Sequence, residues 1–135
     1  MLFRSIVGAQ WADNGPGWLA VRLASAAEVL AVAPPAATAL DLGLVGAYPP
    51  GGPADFEVRA FFPGAGGMFE DPVTGSLNGA LAQWLLGSGQ ATGPYVASQG
   101  TALGRAGRVH ISQDADGAIW VGGGTVTCIT GTVNL

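Results

Sequence analysis

The sequence predicts an α+β fold in which a mostly antiparallel, curved sheet wraps around one central helix at about Ser76 to Leu86. Three observations lead there. Short runs rich in Val, Leu and Ala alternate with clusters drawn from 23 glycines and 9 prolines, the pattern of many short elements joined by tight turns. The segment Ser76 to Leu86 places Leu77, Ala80, Leu81, Trp84 and Leu85 at helical spacing, adds Ala82 and Leu86 outside that stripe, and contains no charge. A helix apolar on nearly every side has to be enclosed, and the strand-like runs are the material to enclose it. Finally, 135 residues are expected to form a single domain, large enough to bury about two-thirds of the surface that the unfolded chain exposes.

The elements follow in order. Leu2 to Trp11 and Gly17 to Leu23 read as strands, separated by the turn cluster Asp13-Asn14-Gly15-Pro16. Ser25 caps a short helix, Ala26 to Val32, with Glu28 placed as in a capping box and Pro34-Pro35 ending it. Leu42 to Tyr48 and Phe56 to Phe62 are further strands, divided by Pro49-Pro50-Gly51-Gly52-Pro53. After the central helix, which Gly87-Ser88-Gly89 terminates, strands are expected at Tyr95 to Gln99, Gly107 to Gln113, Ala118 to Gly122 and Thr125 to Val133. Asp114-Ala115-Asp116-Gly117 forms the hairpin turn before the third of these. No internal repeat is present.

Composition removes whole classes of function. The chain has 14 charged residues, 9 acidic and 5 arginines, so lysine is absent. Without a lysine there is neither a Walker-A phosphate grip nor a pyridoxal Schiff base. A net charge of −4 and scattered arginines give no basic stripe for a nucleic-acid backbone, so no nucleic acid is expected. One cysteine, Cys128, and one histidine, His110, cannot build a Cys/His zinc site or an internal disulfide. A reducing compartment and hence a cytoplasmic location are expected, with no membrane contact. Trp18 to Ala33 is interrupted by Arg22 and Glu28, Leu77 to Leu86 is too short to span ~30 Å of hydrocarbon, and the start of the chain offers no secretory core.

The most promising chemistry lies before the central helix. Glu70-Asp71-Pro72-Val73-Thr74-Gly75-Ser76 runs into it. The unpaired N–H groups of Gly75, Ser76 and Leu77, the Ser76 hydroxyl and the positive end of the helix dipole therefore converge on one spot, where a carboxylate or phosphate fits. Gly75 lets a ligand approach the backbone with no Cβ in the way. The same residues also suit a plain capped helix start, with Thr74 or Asp71 capping.

Phe61-Phe62-Pro63, Gly67, Glu70-Asp71-Pro72-Val73-Thr74-Gly75-Ser76, Gln99-Gly100 and Gly104-Arg105 together resemble the PhzF-like (phenazine biosynthesis protein) isomerase family. Asn14-Gly15-Pro16-Gly17-Trp18-Leu19-Ala20-Val21 and Val121-Gly122-Gly123 look like the opening and closing strands of that family's C-terminal half. The resemblance covers essentially the whole chain but only half of a family protein. It implies one diaminopimelate epimerase-like lobe, residues 1–135 being equivalent to the C-terminal half. It also implies a cofactor-independent, metal-free isomerisation by proton transfer near a carboxylate, with substrate held between two lobes. By resemblance Asp71 is the catalytic carboxylate of this half, and Thr74, Gly75 and Ser76 bind substrate. The family's general acid/base glutamate, its neighbouring histidine and a second glycine-containing helix start belong to the other half and have no counterpart here.

Other features read as structure. Gly64-Ala65-Gly66-Gly67 lacks the third glycine of a dinucleotide loop and is a turn. Gly75-Ser76-Leu77-Asn78-Gly79 is no nucleophile elbow. Glu70 reads as a solvated turn acid, Cys128 as a small hydrophobe packed in a strand, His110 as a strand residue with no catalytic part, Arg105 as a surface ion-pair partner or a substrate contact, and the four tryptophans as core or interface aromatics. Two readings stay open. In one, a stand-alone half pairs with a second copy as a homodimer, or with a separately encoded N-terminal half, and binds a small carboxylate. In the other, the chain is a non-catalytic binding or structural domain, or the remnant of a longer gene. The low charge favours the first, because half of a two-lobed fold exposes an apolar face where its partner lobe belongs.

Overall fold

The computed structural model describes residues 6–36 and 38–135. Its elements are β1 (Ile6–Asp13), β2 (Gly17–Leu23), α1 (Ala26–Ala31), β3 (Leu42–Ala47), β4 (Phe56–Gly64), β5 (Gly67–Asp71), α2 (Gly75–Gly87), β6 (Tyr95–Gln99), a 3-10 turn (Thr101–Leu103), β7 (Gly107–Gln113) and β8 (Ile119–Gly122). All eight strands join one sheet in the order β1-β2-β3-β4-β6-β7-β8, with β5 paired to β4. The sheet is mixed. β2–β3 and β4–β6 run parallel, while the other ladders are antiparallel. One edge of β4 is shared lengthwise, with β6 pairing Phe56 to Val58 and β5 pairing Ala60 to Gly64.

The fold is the expected α+β lobe, a curled sheet around one enclosed helix. Leu77, Ala80, Leu81, Ala82 and Leu85 of α2 join Ala12, Trp18, Ala20, Val45, Phe56, Val58, Ala60, Tyr95, Ala97, Val109 and Ile111 in a single core. Strands from every part of the sheet thus contribute to the sleeve. α2 ends in a Schellman motif: Gln90 N–H bonds the Leu85 carbonyl at 2.8 Å and Gly89 N–H the Leu86 carbonyl at 3.1 Å, with Gly89 at φ +70°, a conformation that glycine adopts without strain. Among the described residues no helix is long and apolar enough to cross a membrane.

The other sheet face carries α1. Val29 packs there with Leu23, Leu44 and Phe61. Ser25 caps α1 through its Oγ, 3.2 Å from Glu28 N, and Glu28 reaches back to Ala24 N at 3.3 Å, so the capping box closes one residue earlier than its usual form. Close approach of α1 requires Gly46 in β3: a Cβ there would lie 2.4 Å from the Ser25 carbonyl oxygen. Gly46→Ala is therefore expected to cost about 1–3 kcal/mol, read as a lower urea midpoint at unchanged slope.

Two expectations fail. Thr125 to Val133 forms no strand; Val126, Ile129 and Val133 are 85%, 90% and 76% exposed. Their β-branched composition favours extended backbone, but a strand also needs a partner, and the segment has no ladder with any described strand. Cys128 is accordingly exposed, not packed. Conversely, β5 was not anticipated. Too short to show alternation, it forms as the return arm of a hairpin around Ala65-Gly66, with Gly64 opposite Gly67. Of the expected first strand, residues 2–5 lie outside the described residues.

The β7–β8 turn carries a pH-dependent contact. Asp114 accepts hydrogen bonds from Trp120 Nε1 at 2.9 Å, Ala118 N at 2.9 Å and Asp116 N at 3.0 Å. The Trp120 indole N–H first, and then the backbone N–H of Ala118, hold its carboxyl below the usual range. The unfolded chain therefore binds this proton more readily, so the contact stabilises above the ordinary carboxylate pKa and is lost as pH falls through the lowered one. Trp120 emission is expected to change with acid in the wild type and to lose that titration in Asp114→Asn.

Candidate functional site

The site is built where β5 hands the chain to α2. Asp71 stands opposite Ala60 in the ladder and Glu70 opposite Phe61. Ala60 belongs to the core around α2 and Phe61 to the core under α1. The two adjacent acids therefore face opposite ways, as strand alternation requires. Asp71 looks toward the start of α2. Glu70 is not a solvated turn acid: it is buried against Arg59, which donates Nε to Oε1 at 2.8 Å and Nη2 to Oε2 at 2.7 Å.

Thr74 occupies the N-cap position of α2, yet its side chain makes no capping bond. Its hydroxyl turns back and donates to Asp71 Oδ2 at 2.7 Å. A buried amide braces this arrangement. Gln99, fully buried at the end of β6, accepts from Thr74 N at 3.0 Å and from Asn78 Nδ2 at 2.8 Å. Its Nε2 donates to the Asp71 carbonyl at 3.0 Å and to Thr74 Oγ1 at 2.9 Å. Asn78 Nδ2 also reaches the Thr74 carbonyl at 2.8 Å. The loop is thus held from within the core, and Gly100 closes the join, since a Cβ on it would lie 2.7 Å from the Pro72 carbonyl oxygen.

With Thr74 turned away, no hydrogen bond among the described residues takes up the N–H groups of Gly75, Ser76 and Leu77; the helix ladder begins with Asn78 N–H to the Thr74 carbonyl at 3.1 Å. Gly75 is exposed, and nothing lies within 4 Å of where its Cβ would stand. Ser76 Oγ accepts from the indole of buried Trp18 at 3.3 Å, which leaves the hydroxyl proton to donate. The N–H groups of exposed Gly75 and half-buried Ser76, one orientable hydroxyl and the helix dipole can together hold an anionic oxygen, with the Asp71 carboxylate on the same side; Leu77 is itself fully buried. Further along that face Phe62 and Phe69 stack at 6.0 Å, both exposed, and Val73, two residues after Asp71 in the chain, is exposed as well.

The structure brings together Asp71, Thr74, Gly75 and Ser76, all expected from the sequence. It leaves out others. Arg105 is exposed, and its side chain enters no hydrogen bond or ion pair among the described residues. His110 lies exposed on β7. Trp18 is core and Trp84 half-buried, whereas Trp11 and Trp120 are 54% and 64% exposed. Gln99 and Asn78 were missed as site residues; the available signals were the Gln99-Gly100 pair of the family resemblance and an amide set in an otherwise apolar, charge-free helix. A second buried acid, Glu57, lies on the α1 side of β4 and accepts from Tyr48 OH at 2.8 Å and Thr101 Oγ1 at 3.1 Å. Burial first, and then this bond, raise the Tyr48 phenol above its usual range.

Residues 3–131 match the family model described as phenazine biosynthesis-like protein. The chain belongs to that family. It is 34% identical over 132 residues to antisense-enhancing sequence 1 of Schizosaccharomyces pombe, an alignment covering 88% of this chain and 44% of that protein. Its fold matches the crystal structure of the Bacillus anthracis phenazine biosynthesis protein of the PhzF family with a TM-score of 0.63 at 15% identity, covering 80% of this chain and 41% of that one. The chain therefore spans less than half the length of each of these two proteins.

Proposed function

We propose that this chain is one lobe of a cofactor-independent isomerase or epimerase of the phenazine biosynthesis-like family, equivalent to its C-terminal half. It binds a small carboxylate at the N-terminus of α2, in a cleft completed by a second lobe. One observation carries the reading: the Thr74 hydroxyl is turned toward Asp71 and Gln99, and the first-turn N–H groups of α2 carry no side-chain cap. The ligand carboxylate sits on the Gly75 and Ser76 N–H groups and the Ser76 hydroxyl. Charge that develops on it as a neighbouring C–H proton leaves is stabilised by the same groups. Asp71 receives or returns that proton.

A binding site normally encloses most of its ligand, and here Gly75 faces open space on one side. The exposed Phe62, Phe69 and Val73 give the site's surroundings an apolar surface suited to a partner lobe. We assign the second wall to another copy of this chain across a two-fold axis, so that two Asp71 carboxylates serve one cleft; a separately encoded N-terminal half is the alternative partner. The free Cys128 suits a cytoplasmic setting.

Light scattering after size-exclusion chromatography tests the assembly. The expected mass is twice the 13.4 kDa of the chain, while a monomer at micromolar concentration would leave only the separately encoded half as partner. Carboxylate titration follows, with Ser76→Ala expected to weaken binding about tenfold, the worth of one hydrogen bond to a charged group. Equal absence of binding in wild type and variant would leave the non-catalytic reading.

A further inference from the structure

The hydrogen bonds around Gln99 fix more than the shape of the loop. The Thr74 carbonyl can only accept, so the Asn78 group 2.8 Å from it is the NH2. That NH2 and the Thr74 backbone N–H both point at one atom of Gln99, at 2.8 and 3.0 Å. An amide nitrogen there would face two donors, so the atom is Oε1 and the other is Nε2. Nε2 has two hydrogens and two neighbours, the Asp71 carbonyl at 3.0 Å and Thr74 Oγ1 at 2.9 Å. Thr74 Oγ1 accepts from Gln99, and its single hydrogen is left for its remaining neighbour, Asp71 Oδ2 at 2.7 Å.

We propose that Gln99 is a positioning residue for Asp71, which acts through Thr74: by donating to Oγ1 it dictates that the hydroxyl donates to Oδ2, clamping the carboxylate as an acceptor and leaving Oδ1 as its oxygen for a migrating proton. This rests on the reading of Asp71 as the proton-handling group of the lobe. Gln99 contacts neither ligand nor reacting atoms, and its amide could not be replaced by a carboxylate of the same shape. In Gln99→Glu an oxygen stands where Nε2 donated, the Thr74 hydroxyl turns to it, and Asp71 Oδ2 loses its donor.

The test is carbon-detected NMR of the full chain at pH 7, following the Asp71 carboxyl carbon and the Thr74 hydroxyl proton. In the wild type the hydroxyl proton is expected to exchange slowly and to lie close to Asp71. The Asp71 carboxyl signal should move in Gln99→Glu as far as it does in Thr74→Val, and return to the wild-type position in Thr74→Ser, with the amide signals of Leu81 and Val109 fixed throughout as a sign of the native core. An Asp71 signal in Gln99→Glu that stays at the wild-type position while Thr74→Val moves it would overturn the proposal. Should Gln99→Glu not fold, the Thr74 pair decides, because identical Asp71 signals in Thr74→Val and Thr74→Ser would overturn it equally. The expected Asp71 shifts together with no carboxylate binding would uphold the positioning role and remove the ligand reading instead.

Discussion

Arg59→Ala should lower the unfolding free energy by about 3–5 kcal/mol, the usual consequence of removing one partner from a buried ion pair. The side chains of Arg59 and Glu70 are 3% and 8% exposed and meet at 2.7 Å. Arg59 also donates Nη1 to the carbonyls of Val29 and Val32 at 3.2 and 2.6 Å, where α1 ends, so one guanidinium ties α1, β4 and β5 together. Its loss strands the Glu70 carboxylate and removes a donor from both carbonyls, of which Val29's keeps the Val32 N–H at 3.3 Å. Because the cost lies in the uncompensated charge, Arg59→Met combined with Glu70→Leu should be clearly less damaging than Arg59→Ala alone. Urea unfolding of the three proteins checks this; a loss below about 1 kcal/mol for Arg59→Ala would mean that the pair behaves as a surface contact.

Gln99→Leu should cost about 3 kcal/mol, from two buried polar groups and one part-buried group that each lose a partner, at about 1–3 kcal/mol for a buried one. The groups are Thr74 N–H, one hydrogen of Asn78 Nδ2 and the Asp71 carbonyl. Asn78→Leu is expected to be milder. In that variant Gln99 Oε1 keeps Thr74 N–H, and the Thr74 carbonyl keeps the residue 78 N–H at 3.1 Å. The same unfolding measurement ranks the two, and equal losses would show that the amides do not form the network described.

The legible parts of the molecule were those written in local sequence. A charge-free helix between glycine and proline punctuation announced its own enclosure, and Asp71 to Ser76 announced a helix start with spare N–H groups. What escaped depends on distant partners. Gln99 meets Thr74 and Asn78 across 25 and 21 residues, so although Gln99-Gly100 belongs to the family resemblance, nothing in the local sequence shows which groups Gln99 meets. Glu70 looks solvated until β5 pairs with β4 and sets it beside Arg59. Thr125 to Val133 has the composition of a strand and no strand to pair with. Capping was the instructive ambiguity: Thr74 is at the N-cap, but its hydroxyl is turned away from the helix, donating to Asp71 Oδ2 and accepting from Gln99 Nε2, and caps nothing.

Whether the start of α2 beside Asp71 binds an anion is decided by following the backbone amides of Gly75, Ser76 and Leu77 in a 15N spectrum while a small carboxylate such as malonate is added. Saturable shifts confined to these amides and the Ser76–Trp18 contact are expected, with about tenfold weaker saturation in Ser76→Ala. Amides at 75–77 that stay still while the carboxylate reaches millimolar concentration, in a sample that scatters as a dimer, would contradict the account.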